Sequence, residues 1–481
     1  MLQAAHAERD AAGGKAGNSA RAAGLLLAAR AVRETAFGWI SIALPIYWRT
    51  RGLSAAEIGT LYSIALLGSF ALTVLFRRVS DRRGYRTALL ASSGLWAAMV
   101  PILLVTRNPL WLGLAVALGS VSPTGKEVGP YLSVEQTLLA VMYGGQQRLR
   151  AYTWFNFIGY ASGSAGALLV GALGWTMGFG AYRALLWGYM AAGLIQGILY
   201  TRLPRGAGRQ GESESGADSP QNALVHNESA DGGKPTGEGE SLDDRKPVNG
   251  MDEPAGHPST GQPSTGQSPA GQSSAGQSSE SQSSESQSSD GRRRVYALSA
   301  LFALDAFGSG FIVQSLLAFW FYERFHFDLF QLGLLFFGTN VLSALSSFGA
   351  AWLGERIGLL NTMVFTHVPS NVFLCLIPLM PTPSLAVVLL LLRHVLSQMD
   401  VPTRQAYTMA LVAPSDRVFA ATWTNGARNI GSALTPALAG VLLTFAAAGW
   451  PFYLAGALKI GYDLLTYQSF RRVPLRFAEH R

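Results

Sequence analysis

Seven ionisable residues stand out within stretches otherwise apolar enough to cross a bilayer. Arg30 and Glu34 are four residues apart, as are Asp400 and Arg404; Lys126 and Glu127 are adjacent, and Asp305 stands alone. Charge in hydrocarbon is costly and is usually retained for a function. A spacing of four puts both members of a pair on one helix face, so Arg30–Glu34 and Asp400–Arg404 read either as neutralised structural pairs or as part of a binding site. Glu127 and Asp305 have no same-face partner in their own stretch, which makes them candidates for carrying a proton or holding a cation. All seven are candidates for substrate or ion binding. Lys459 and Asp463 share the same spacing but read as a peripheral structural pair, and His367 and His394 read as structural histidines.

These residues need helices to carry them. A bilayer-crossing helix takes about 20 mostly apolar residues, and the chain offers twelve such spans, at 22–48, 56–77, 86–106, 109–142, 150–173, 178–201, 295–322, 329–354, 359–381, 383–412, 418–446 and 450–471. The expected architecture is therefore all-α and integral to the membrane. Two six-helix halves (21–202 and 293–473) are flanked by short tails (1–20 and 474–481) and joined by a linker, 203–292. Residues 203–291 contain no Phe, Trp or Tyr and carry five Lys/Arg against 14 Asp/Glu, a net of −9, so the rest of the +8 chain carries +17. From Gly261 the linker repeats a five-residue Gly/Ser/Gln pattern. Such sequence cannot bury enough apolar surface to offset ordering entropy and is expected to be disordered.

The excess positive charge sets orientation. Arg77, Arg78, Arg82, Arg83 and Arg86 cluster after span 2, Arg148 and Arg150 lie between spans 4 and 5, and Arg471, Arg472, Arg476 and Arg481 follow span 12. Opposite loops usually hold one arginine each. Cytoplasmic loops are the basic ones, so both termini and the linker are expected in the cytoplasm, with the protein in the cell's plasma or inner membrane. No secretory cleavage pattern precedes span 1, which should serve as an uncleaved start-transfer signal. The single cysteine, Cys375, excludes an intramolecular disulfide. No phosphate loop, zinc motif or nucleophile elbow is present, so no enzyme activity, metal or cofactor is expected. The basic body is explained by the cytoplasmic leaflet and needs no nucleic acid.

The halves repeat one another. Ser80-Asp81-Arg82-Arg83-Gly84-Tyr85-Arg86 after span 2 answers Gly354-Glu355-Arg356-Ile357-Gly358 at the equivalent place after span 8. Thr153-Trp154-Phe155-Asn156 answers Thr422-Trp423-Thr424-Asn425, and Gly171 answers Gly440 at the same offset. Pro123 in span 4 and Pro402 in span 10 each precede a cation by two or three residues, and a proline frees a backbone carbonyl and permits a kink. The small residues Gly159, Gly163 and Gly171 in span 5, and Gly431 and Gly440 in span 11, allow close helix packing.

The loop after span 2 resembles the signature loop of the major facilitator superfamily, G-x-x-x-D-R-x-G-R-[R/K]. Asp81, Arg82, Gly84 and Arg86 occupy matching positions, while Arg77 replaces the first Gly and Tyr85 the first terminal basic residue; Glu355, Arg356 and Gly358 form a degenerate second copy. The resemblance implies a secondary transporter working by alternating access, with spans 1, 4, 7 and 10 lining a central cavity. It also implies that Asp81 caps the start of span 11 and pairs with basic residues in the state open to the outside. The expected partners are a small solute, a proton or another ion, and the lipid bilayer, with a monomer as the working unit. Span 5 lacks the proline of the proton-coupled drug-exporter signature, so that subclass is disfavoured, although general resemblance favours efflux over uptake. A rival reading is a non-transporting membrane sensor or scaffold whose linker recruits a partner.

Overall fold

The computed structural model describes residues 2–126, 129–143, 145–178, 180–204, 274–412, 417–445 and 449–473. Glu127 and most of the linker, including the start of its five-residue repeat, lie outside the described residues. Residues 1–210 and 288–481 form one compact unit; 211–287 form a second, of which only a helical stretch from Ser274 is described.

Among the described residues there is helix and no strand. The N-terminal half contains α1 (Leu2–Thr50), α2 (Ala55–Arg83), α3 (Tyr85–Val105), α4 (Pro109–Leu118), α5 (Tyr131–Met142), α6 (Gly145–Met177) and α7 (Gly180–Thr201). The C-terminal half contains α8 (Ser274–Gly310), α9 (Gln314–Phe325), α10 (Leu329–Ile357), α11 (Leu359–Leu376), α12 (Pro383–Ser397), α13 (Asp400–Leu411), α14 (Arg417–Thr444) and α15 (Trp450–Phe470). Among the described residues, eight helical stretches are long and apolar enough to cross a membrane. Large apolar side chains such as Leu75, Phe348 and Phe365 point outward, more than half exposed, as a lipid-facing surface requires.

Three expected spans are each two helices. Span 4 breaks at 119–130 into α4 and α5, where Pro123 and Pro130 cannot donate to a helical ladder. Span 10 breaks at Gln398–Met399, leaving Pro402 in the first turn of α13, where a missing N–H costs nothing. Span 7 breaks at 311–313 without a proline. Two helices also begin earlier than expected. α1 starts at Leu2, running through the Ala-rich 1–20 segment read as a disordered tail, and α8 starts at Ser274, inside the 203–292 linker. Alanine is the strongest helix former, and the linker has no proline beyond Pro269 to stop a helix growing backward.

The internal repeat is carried into backbone detail. α2 begins with a capping box between Ser54 and Glu57, and α10 begins with the same box between Asp328 and Gln331, at the equivalent place in the second half. Gly84 closes α2 at φ +86° and Gly358 closes α10 at φ +87°. With ψ near 155° both turns need a residue without a Cβ, which is why the signature loop has glycine there in each copy.

The halves meet along two crossed helix pairs. A Cβ on Gly59 of α2 would lie 2.8 Å from the Cα of Gly440 in α14, and a Cβ on Gly333 of α10 would lie 2.8 Å from the Cα of Gly171 in α6. Gly333 follows Gly59 at the offset that separates Glu355 from Asp81, and Gly440 follows Gly171 at the offset that separates Trp423 from Trp154. The two contacts are therefore symmetry mates. Within each half, Gly431 approaches the Ala303 carbonyl, Gly163 faces Gly38, and Gly159 leaves space for the Arg30 guanidinium. Small residues thus allow close backbone approach at Gly163, Gly171, Gly431 and Gly440.

Candidate functional site

The N-terminal half is braced by a buried charge cluster. Arg33 of α1 forms a two-pronged pair with Glu135 of α5, Nη2 to Oε2 at 2.7 Å and Nη1 to Oε1 at 3.1 Å. The Tyr200 hydroxyl of α7 donates to Glu135 Oε1 at 2.6 Å, and Arg33 Nη1 also reaches Gln196 Oε1 at 3.4 Å. Gln196 in turn donates to Ser93 of α3. Arg33 and Glu135 are fully buried. One cation and one carboxylate satisfy each other here, and polar neighbours take the remaining capacity. One helical turn before Glu34, Arg30 pairs with that residue at 3.3 Å and lies over the Phe155 ring at 3.8 Å, as the four-residue spacing predicts.

The C-terminal half is organised differently. Asp305 of α8 receives Lys459 Nζ of α15 on Oδ1 at 2.6 Å, and Arg428 of α14 and Arg404 of α13 on Oδ2 at 2.7 and 3.3 Å. Arg404 also holds Asp400 at 2.7 Å. Asp305 therefore does have partners, drawn from three other helices, and both of its oxygens are occupied by cations. The expected Lys459–Asp463 pair is not formed. Lys459 turns to Asp305, while Asp463 accepts from Asn371 at 3.3 Å and meets His367 Nδ1 at 2.8 Å. A carboxylate already shared among cations outbids a neighbour on the same helix, and Asp463 finds its own donors on α11.

This cluster forms one wall of a cavity of about 350 Å³ lined by both halves. Thr124 and Lys126 come from the broken segment between α4 and α5; the C-terminal half supplies most of the remaining wall, including Asp305, Asp400 and Arg404. Of the predicted site residues, four (Lys126, Asp305, Asp400 and Arg404) thus face one space. Arg30 and Glu34 are not part of that lining. Sequence spacing assigns no role to Arg33, though it sits three residues from Arg30 in the same apolar span. Nor does it single out Arg393, an arginine in the apolar α12, which lines the cavity. Arg428 and Lys459 are visible as ionisable residues within spans, but nothing local assigns them to Asp305.

The cavity is sealed on one side by contacts between the halves. The freed carbonyl of Pro123 accepts the Ser315 backbone N–H at 3.0 Å, so the breaks of spans 4 and 7 are joined to each other. Gln314 Nε2 donates to Ser41 Oγ at 2.8 Å, and Ser63 Oγ accepts the Ala437 N–H at 2.9 Å. Beyond these, Arg49 pairs with Glu323 at 2.9 Å. All lie on the side of the α1–α2 and α9–α10 loops, together with the Gly59–Gly440 and Gly333–Gly171 crossings. At the opposite end, Asp81, Arg82, Glu355 and Arg356 are exposed. Asp81 and Glu355 make no ion pair or hydrogen bond among the described residues, Arg356 stacks on Trp352 of its own helix, and Arg86 donates to the Thr201 carbonyl. The Asp81 contacts that the resemblance implies for the state open to the outside are not made among the described residues, which leave out 413–416 at the start of span 11.

A bundle of two repeated halves around a shared cavity, sealed at one end, has counterparts. The profile of the Major Facilitator Superfamily matches residues 26–249 and 296–473. The chain belongs to that superfamily. It is 21% identical over 464 residues, 95% of either chain, to an uncharacterized membrane protein of Saccharomyces cerevisiae, YJR124C. Among solved structures, the nucleoside transporter NupG superposes with a TM-score of 0.63 at 12% identity, covering 93% of this chain and 99% of NupG. A D-xylose-proton symporter gives 0.61 at 11% identity, over 94% of this chain and 98% of the other. The chain is thus a multi-pass membrane protein of a transporter superfamily rather than an enzyme, with the alternating-access architecture of a secondary transporter.

Proposed function

We propose that the protein moves a small solute across the plasma or inner membrane by alternating access, coupled to protons, with export as its working direction and a single chain as the working unit. The observation that carries this reading is the cavity itself. It lies between the two halves and is sealed by contacts that a rocking motion of one half against the other would part. Substrate would enter from the Asp81 side in the present conformation. Rocking would break the Pro123–Ser315 and Arg49–Glu323 contacts and bring the Asp81 and Glu355 loops into contact across the other end. The basic residues at the Asp81 end support a cytoplasmic placement of that end and of both termini.

Titratable groups in the cavity wall support proton coupling. His367, hydrogen-bonded to Asp463, faces the same space as Asp305 and Asp400. Asp305, with three cations on its two oxygens, would act by holding and releasing those cations as the helices move. Export rests on general family likeness. The test is reconstitution into proteoliposomes with inside and outside pH controlled. Solute flux that follows an imposed pH gradient, and is lost in His367→Gln or Asp305→Asn, supports coupling. Flux indifferent to pH in wild type and variants removes it, and sidedness of uptake into inside-out vesicles decides direction.

A further inference from the structure

The cavity wall holds more hydrogen-bond donors than it uses. Arg393 of α12 is 8% exposed, yet among the described residues its side chain makes no ion pair and no hydrogen bond, and its Nε is buried without a partner. Asn340 of α10, 6% exposed, leaves Nδ2 buried and unbonded, and Ser397, one helical turn along α12 from Arg393, leaves its hydroxyl unbonded. All three line the cavity. From the opposite half, Lys126 reaches the same cavity with its ammonium 5.2 Å from the Tyr160 ring and with no carboxylate partner among the described residues. Counted over the described lining, five cations face two carboxylates, and both carboxylates are already taken by Arg404, Arg428 and Lys459.

Native interiors rarely leave polar groups unsatisfied, and a buried charge without a counter-charge is strongly destabilising. Here the unsatisfied groups converge on one space, and the two buried nitrogens among them, Arg393 Nε and Asn340 Nδ2, can only donate. Asp305 and Asp400 attract the Arg393 guanidinium across the cavity without touching it, so what these groups lack is an acceptor in direct contact. We propose that the cargo is a small organic anion whose carboxylate or phosphate is held by Arg393, with Asn340 and Ser397 beside it and Lys126 closing from the other half. The guanidinium fork suits a carboxylate or phosphate, which accepts two parallel hydrogen bonds. An anion held between Lys126 and Arg393 would also join the two halves, so that occupancy favours the rocking step. A cationic or neutral cargo would leave Arg393 and Lys126 without an ion pair. This inference rests on the transport reading above for the word cargo, but not for the binding itself.

The experiment uses the full-length protein, purified and reconstituted. Thermal unfolding is recorded with acetate, succinate, citrate and glycerol phosphate, and separately with glucose, uridine and choline; flux of each is then measured in proteoliposomes. One or more of the anions should raise the melting temperature and compete with one another. Arg393→Gln and Lys126→Gln should each weaken that effect about ten-fold or more, the range for a charge-assisted hydrogen bond. Asn340→Asp, which keeps size and adds a negative charge, should weaken it as well. Arg393→Gln should also raise the melting temperature of the ligand-free protein, which a merely structural arginine would not do. Stabilisation by glucose, uridine or choline alone, anion binding unchanged in both charge variants, or no ligand response at all overturns the proposal. Anion binding that depends on Arg393 but yields no flux keeps the site and overturns the transport reading instead; flux of a neutral or cationic solute alone does the reverse.

Discussion

The two halves of this molecule bury charge in equivalent places and use it in opposite ways. In the first half, Arg33 on span 1 meets Glu135 on span 4, with Gln196 and Tyr200 of span 6 completing the cluster. In the second, Asp305 on span 7 meets Arg404 on span 10, with Lys459 of span 12 beside them. Arg404 follows Glu135 at the offset that relates the two tryptophan motifs, and Asp305 follows Arg33 at nearly the same offset. The polarity is reversed between the repeats. The first cluster balances one cation with one acid and is closed to the cavity. The second gathers three cations on one acid and opens onto the cavity. A balanced, sealed pair can only hold helices together, whereas an unbalanced, open one can respond to what enters.

Removing one charge from the sealed pair should have the largest effect on stability. Glu135→Gln strands Arg33 in a fully buried site and should cost about 3–5 kcal/mol, read as a fall in melting temperature of the detergent-purified protein. Replacing both partners with methionine should recover most of that loss, because a buried pair contributes little against a well-packed apolar substitute. The contrast with Asp305 then sharpens. Asp305→Asn should cost less, about 1–3 kcal/mol, since the released Lys459 and Arg428 can reach cavity water, while solute flux falls about ten-fold or more. Equal stability losses in Glu135→Gln and Asp305→Asn, with flux preserved in the latter, would erase the distinction between the halves.

A smaller effect tests where the halves behave alike. Gly84→Ala and Gly358→Ala should each cost about 1–2 kcal/mol, since both turns hold a left-handed backbone; matching losses in chemical unfolding are the expected result. The smallest effect belongs to the exposed Arg49–Glu323 pair, whose loss in Glu323→Gln should be worth at most about 1 kcal/mol. It should shift the open–closed balance, measured by spin-label distances across that end, and the shift should fade at high salt.

The sequence is most informative where a local rule suffices. Apolar runs mark the spans, Pro123 marks the break in span 4, and the glycine of each signature loop marks a turn that needs it. Spacings of four identify Arg30–Glu34 and Asp400–Arg404. The same rule fails for Lys459 and Asp463, because each has a stronger claim from another helix. Asp305 draws its three cations from 99, 123 and 154 residues away, and nothing local in the chain specifies such a meeting. The break at 311–313 has no proline to announce it and becomes intelligible only as the partner of Pro123. Arg393 looks like a stray charge until the unbonded Asn340 Nδ2 and Ser397 hydroxyl that share its cavity are in view.

The bond between Ser315 and Pro123 joins the halves through main-chain atoms alone. Any residue but proline at 315 supplies the same N–H, and any residue at 123 supplies a carbonyl. The side chains around that seam are therefore free to vary without removing the fastening they sit beside. Cargo preference and the mechanics of closing can then evolve on separate schedules: a descendant of this chain could exchange Arg393, Asn340 or Lys126 for other chemistry and inherit an unaltered roof.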